Sequence, residues 1–181
     1  NHIYRADPLS VGYSAIHWLS ALSLGWLFQH PPRSLLDNAP LRQLLSQHLD
    51  LKGIEKAIAK GALHAVSVSA SGYESGDNIN FFQGHSSAQP WNRVQRIGIR
   101  AEISVDHLLA SSAIPFIFPA TKIHREYFGD GSMRQLAPLS PAIHLGAERV
   151  LIVGAGRKNE HQERRRVDDH PSLAQIAGHA L

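Results

Sequence analysis

From Leu9 to Phe28 the chain carries no charged residue. Val11, Ala15, Trp18, Leu19, Leu22 and Trp26 recur at helical spacing, while Ser10, Ser14 and His17 fall on another side. The pattern predicts a buried or domain-packing helix, weakened by Gly12 and Gly25 and ended by Pro31-Pro32, in preference to a membrane span. Between Asn38 and Lys60 two more helices are expected. Asn38 suits the N-cap and Pro40 the first turn, Leu41, Leu44, Leu45 and His48 share one side, and Gly61 supplies the stop.

The period then changes. Leu63, Ala65, Val66, Val68 and Ala70 read as a strand, Ser71-Gly72 through Asp77-Asn78 is turn chemistry, and Ile79, Phe81 and Phe82 return as an antiparallel pair or edge hairpin. Ser104 caps a short helix through Leu109 and Ala110, after which Pro115 and Pro119 hold an extended apolar loop. Tyr127 and Phe128 lead into Gly129-Asp130-Gly131. Pro138 to Leu145 is helical with Gly146 as its stop, and Val150-Leu151-Ile152-Val153 predicts a buried strand. Strand, helix and strand in this order favour an α/β sheet. Polar, unperiodic residues follow, so the expected organisation is one domain over 1–157, a linker over 158–170, and the start of a helix over 171–181.

Composition narrows the functional classes. With 181 residues, 43% hydrophobic and 18% charged, the chain can bury a real core. Its net charge of +3 is scattered apart from Arg164-Arg165-Arg166, which argues against a nucleic-acid partner and reads as a solvated tether. Lack of cysteine excludes disulfides, thiolate-zinc sites and a cysteine nucleophile. The twelve histidines stand nine or more residues apart, so none forms the close pair that a helical metal site needs, and no metal is expected.

Two local motifs carry candidate chemistry. Val150 to Gly154 followed by Gly156 imitates a dinucleotide fingerprint, but Asn159 stands where the third glycine belongs. Asp130, between Gly129 and Gly131, is either a turn residue or a carboxylate in a close-packed position. No serine stands in G-x-S-x-G. The nearest approaches are Gly12-Tyr13-Ser14-Ala15-Ile16, Gly84-His85-Ser86-Ser87-Ala88 and Gly72-Tyr73-Glu74-Ser75-Gly76, and there is no Gly-Gly-x-x-Arg loop either.

Taken in order, Ala110-Ser111-Ser112-Ala113-Ile114-Pro115, Phe118-Pro119, Asp130-Gly131, Ala137-Pro138-Leu139 and Leu145-Gly146-Ala147 resemble the patatin-like phospholipase family, bacterial members in particular. Ser34-Leu35-Leu36-Asp37, Pro40-Leu41 and the run from Ala65 to Gly76 extend the likeness upstream to about residue 31. The helix expected from Pro171 is similar to one that follows the catalytic domain in some members. The first thirty residues match loosely.

The resemblance implies a partial patatin-type α/β hydrolase-like domain with a central sheet flanked by helices. It also implies hydrolysis of lipid acyl esters by a Ser-Asp dyad without metal or cofactor. Asp130 maps onto the dyad aspartate, with Gly129 and Gly131 as its flanking glycines. Ser132 departs from the Gly or Ala common there, which bears on loop geometry. The serine elbow and the oxyanion loop precede this region in the family, so the chain is expected to be a truncated piece, inactive by itself. Ser111 and Ser112 are weak substitutes for the nucleophile.

Expected partners are a lipid or acyl-ester substrate and a membrane surface, with no nucleic acid, and with self-association of the incomplete domain. Leu9 to Phe28 is alternatively an apolar cover near the lipid site. Ile114, Phe116, Ile117 and Phe118 suit an acyl pocket or a core equally. A noncatalytic lipid-binding or interaction module that keeps the fold is the rival reading. Location stays open between the cytoplasm and a peripheral membrane site.

Overall fold

Proline and glycine punctuate the first helices where the sequence places them. In the computed structural model, which describes residues 34–154 together with Gly12 and Ile16, α1 spans Ala39–His48 and α2 spans Lys52–Ala59. Pro40 occupies the first turn of α1, but the cap bond comes from Asp37, whose Oδ1 accepts from Ala39 N–H at 2.9 Å, and not from the Asn38 side chain. Gly61, at φ +71, ends α2 in the left-handed region. Apart from Gly12 and Ile16, both helical, the helix expected over Leu9–Phe28 lies outside the described residues, as do the linker over 158–170 and the helix from Pro171. The chain divides into two units, Asn1–Glu148 and Arg149–Leu181.

Within the first unit the strands are β1 (Ala65–Gly72), β2 (Asn78–Gly84), β3 (Trp91–Arg93), β4 (Arg96–Arg100), β5 (Thr121–Ile123) and β6 (Glu126–Asp130). Helix α3 (Val105–Ser111) precedes β5 and α4 (Ser140–His144) follows β6. They form one sheet in the order β3-β4-β2-β1-β6-β5. β2 and β4 run parallel and every other pair is antiparallel, so the α/β expectation is met by a mixed sheet.

β1 and β2 form the expected antiparallel pair, but in the middle of the sheet and not as an edge hairpin, because β4 and β6 pair with its outer flanks. Val150–Val153 is not a strand. Its backbone is irregular, for an apolar run becomes a strand only when a neighbour takes its backbone hydrogen bonds.

Alternation along β1 and β2 divides the sheet into two chemically different faces. The pairs Val68↔Phe81 and Ala70↔Ile79 belong to one face, where Ile103, Ala110, Ile123 and Phe128 complete the buried cluster under α3. Phe81 meets Phe128 edge-on at 5.3 Å and the His107 ring at 4.6 Å. The pairs Ser67↔Phe82, Ser69↔Asn80 and Ser71↔Asn78 belong to the other. That face closes at one side with Trp91, stacked between Phe82 at 5.5 Å and His144 of α4 at 4.8 Å. Gly98 is required beneath it, since a Cβ there would stand 2.2 Å from the indole.

Candidate active site

β6 pairs with β1 only over Ala70–Gly72, so Asp130 ends its strand where the flank of β1 opens. A cavity of about 560 Å³ lies at this opening, lined by Ser67, Ser69, Ser111, Ser112, Asp130 and Gly131 together with Val68, Leu108, Ser132 and Gln135. The segment Ala110–Pro115 and the Asp-Gly pair, separate in sequence, are joined directly. Asp130 N–H donates to Ala113 O at 2.9 Å and Gly131 N–H to Ser111 O at 3.2 Å. Their recurrence together in sequence therefore has a backbone cause.

Asp130 Oδ1 accepts from Ser132 N–H at 2.8 Å, a local turn that fixes the carboxylate. Because the contact uses the backbone of residue 132, the serine side chain there does not disturb it. No serine hydroxyl among the described residues bonds the carboxylate. Ser112 Oγ donates back to Leu108 O at 3.0 Å, and Ser69 Oγ donates to Asn80 Oδ1 at 2.6 Å. Ser67 Oγ is buried without a partner among the described residues.

Beneath Gly131 a line of polar side chains runs across the serine face. Gln135 Nε2 approaches Ser69 Oγ at 3.5 Å, Asn80 Nδ2 donates to Asn78 Oδ1 at 3.2 Å, and Asn78 Nδ2 donates to Gly131 O at 2.9 Å. Asn78 is fully buried. Burying two amides in a sheet is tolerated because each amide oxygen accepts a hydrogen bond and each amide nitrogen donates at least one. Sequence reasoning missed this line: Asn78 is a turn signal by composition, and its partner lies 53 positions away.

The two glycines beside Asp130 are required for a reason other than turning. Neither has a positive φ. A Cβ on Gly131 would stand 2.2 Å from Ser69 O, and one on Gly129 would stand 2.5 Å from the Tyr73 hydroxyl. Close approach of the β1 backbone imposes glycine at 131, whereas the neighbour at 129 is the end of the half-exposed Tyr73 side chain. Burial, and after it the negative charge of Asp130, push the Tyr73 phenol above its ordinary range, so it stays protonated beside the site.

Other candidates are not brought together with Asp130. Ile114, Phe116 and Ile117 are 43%, 58% and 37% exposed, so they are neither core nor wall of the Asp130 cavity. Among the described residues no histidine lines that cavity. His107 is buried against Phe81, His124 sits in the β5–β6 turn, and His144 stacks on Trp91. Among the described residues no three His, Asp or Glu side chains are placed to hold a metal ion, and no helix is long and apolar enough to cross a membrane.

A mixed sheet with flanking helices, and a glycine-flanked aspartate held against an Ala-Ser-Ser-Ala segment, define a patatin-type α/β fold. The family model described as Patatin-like phospholipase matches residues 5–143. The chain belongs to that family, one of lipid acyl hydrolases, and the match includes most of the first thirty residues, where the sequence likeness is loose. No curated protein and no solved structure matches the chain.

Proposed function

We propose that the parent protein hydrolyses lipid acyl esters through a Ser-Asp dyad in which Asp130 is the base and the serine lies outside these 181 residues. The observation that carries this is the Asp130 carboxylate, fixed through Oδ1 by Ser132 N–H at 2.8 Å and bordering an open cavity. Oδ2 has no hydrogen-bond partner among the described residues, which leaves it available to a hydroxyl. In the reaction the serine oxygen attacks the acyl carbon while Asp130 takes its proton, then returns that proton to the leaving alcohol. Water repeats the sequence to release the acid. Gly129 and Gly131 keep the carboxylate against the sheet, and the neutral Tyr73 phenol adds no charge.

The test is steady-state ester hydrolysis by the complete parent protein. Asp130→Asn keeps side-chain volume and removes the proton acceptor, and turnover is expected to fall by about 10²-fold or more with the fold intact by circular dichroism. His124→Gln and His144→Gln are its controls, each expected to change turnover by less than about tenfold. Full activity in folded Asp130→Asn refutes the dyad. Loss in either histidine variant equal to that of Asp130→Asn replaces it with a triad.

A further inference from the structure

Beyond α4 from the Asp130 cavity, the same sheet face carries a second concavity that the proposed chemistry does not use. Its volume is about 400 Å³, and Leu139, Ile143, His144 and Arg96 are in its wall. α4 stands between the two regions: Ala142 and Leu145 border the Ser67 end of the sheet face, while Leu139 and Ile143 look the other way. Ile143 is 63% exposed, and Val94, in the turn between β3 and β4, is 88% exposed. Grouped apolar side chains on a surface mark a contact.

Charge identifies the kind of contact. Arg93 and Arg96 pair across that same turn, and both lie close enough to His144 to reinforce the lowering of its pKa that burial begins. Neither arginine has an ion-pair partner among the described residues, where Arg42–Asp106 is the ion pair that forms. Two uncompensated guanidiniums beside exposed Val, Leu and Ile match the headgroup boundary of a bilayer, where phosphates meet the start of the acyl chains.

We infer that Val94, Leu139 and Ile143 seat in the surface of an anionic lipid bilayer while Arg93 and Arg96 bind its phosphates, which brings the Asp130 cavity to an interfacial substrate. The inference rests on the lipid-ester reading for its purpose, but its test needs no turnover. A contact of this kind combines two weak signals, apolar insertion and phosphate binding, neither of which anchors a protein alone.

The test is flotation of the 181-residue chain with vesicles of phosphatidylcholine alone or containing about one third phosphatidylglycerol. The chain is expected to float with the anionic vesicles and to stay behind with the neutral ones. Arg93→Gln with Arg96→Gln is expected to lower the partition coefficient about thirtyfold, while Lys122→Gln with Arg125→Gln, the same charge removed from the β5–β6 hairpin, changes it by less than about threefold. Ile143→Ser, at a position 63% exposed, is expected to weaken binding several-fold with the circular dichroism spectrum unchanged. Equal losses in the two charge pairs would reduce the effect to net charge and overturn the proposal, as would equal binding to neutral vesicles. A lipid-free dimer that the patch variants dissociate would also overturn it, giving the surface to a second copy of the chain. Asp130→Asn is expected to float like the unmodified chain, so failure of the dyad in the hydrolysis assay leaves this result standing.

Discussion

The two faces of the central sheet are built by the same strands and solve opposite problems. On the α3 face, Val68, Ala70, Ile79, Phe81 and Phe128 exclude water and tolerate one polar ring, His107. On the opposite face Ser69, Asn78 and Asn80 occupy the next positions along those strands, and their hydrogen bonds end on the carbonyl of Gly131. Dispersion and burial hold the first face, so loss there scales with volume removed. Paired polar groups hold the second, so loss there depends on which partner is left alone.

The largest expected effect belongs to the apolar face. Phe81 is 3% exposed and in edge contact with Phe128 and His107, so Phe81→Ala removes a buried ring at the centre of the cluster. Unfolding free energy is expected to fall by about 3–5 kcal/mol, read as a lower urea midpoint with unchanged slope. A loss under about 1 kcal/mol would mean that this face is not the one that holds the fold.

Asn78→Ala tests the other face by a different mechanism. Little volume is lost, but Gly131 O and the Asn80 amide are each left buried without the partner that Asn78 supplied. The expected cost is about 1–3 kcal/mol. The contrast between faces sharpens if Asn78→Asp is no better than Asn78→Ala, since aspartate matches the size and the acceptor but cannot donate to Gly131.

His107 gives the apolar face a pH dependence. Its Nδ1 accepts from Ser104 N–H at 3.1 Å at the start of α3, while Nε2 is buried with no partner among the described residues. Burial lowers its pKa, with Asp106 opposing the shift and His124 adding to it. The unfolded histidine, with a pKa of about 6.5, therefore binds its proton more readily than the folded one. Stability is fully present above that value and is lost as pH falls from it toward the depressed folded pKa. His107→Gln keeps an acceptor for Ser104 and is expected to flatten the decline in urea midpoints as pH falls below about 6.5.

How much of this was legible depends on the reach of each determinant. Pro40, Gly61, Ser104 and Gly146 act within a turn of their own positions, and the helices they bound stand where the pattern predicts. Val66, Val68 and Ala70 alternate strongly enough to declare β1. β3 and β4 carry little local signal, because the Arg-rich run from Arg93 to Arg100 is a strand pair only through the parallel alignment of β4 with β2. Val150–Val153 shows the converse, a strong local pattern that is not a strand, since pairing and not pattern makes one. Asp130 was visible as a motif. The reasons for its glycines, Ser69 O on β1 and the Tyr73 hydroxyl in the turn after it, lie more than fifty residues away in sequence.

The smallest expected effect separates the polar face from its own exceptions. Ser69 and Ser71 occupy alternate positions of β1 on one face, yet Ser69 Oγ donates to Asn80 at 2.6 Å while Ser71 Oγ, in a residue 4% exposed, has no partner among the described residues. An unsatisfied buried hydroxyl has given up its bonds to water and gained none in return, so its removal returns that desolvation cost. Ser71→Ala is therefore expected to leave stability unchanged or raise it by up to about 1 kcal/mol, whereas Ser69→Ala, which strands the Asn80 carbonyl, lowers it by about 1 kcal/mol. Urea midpoints of the two variants decide the matter. If Ser71→Ala is the costlier of the two, position on the serine face and not pairing sets the energetics, and the distinction between the faces loses its physical basis.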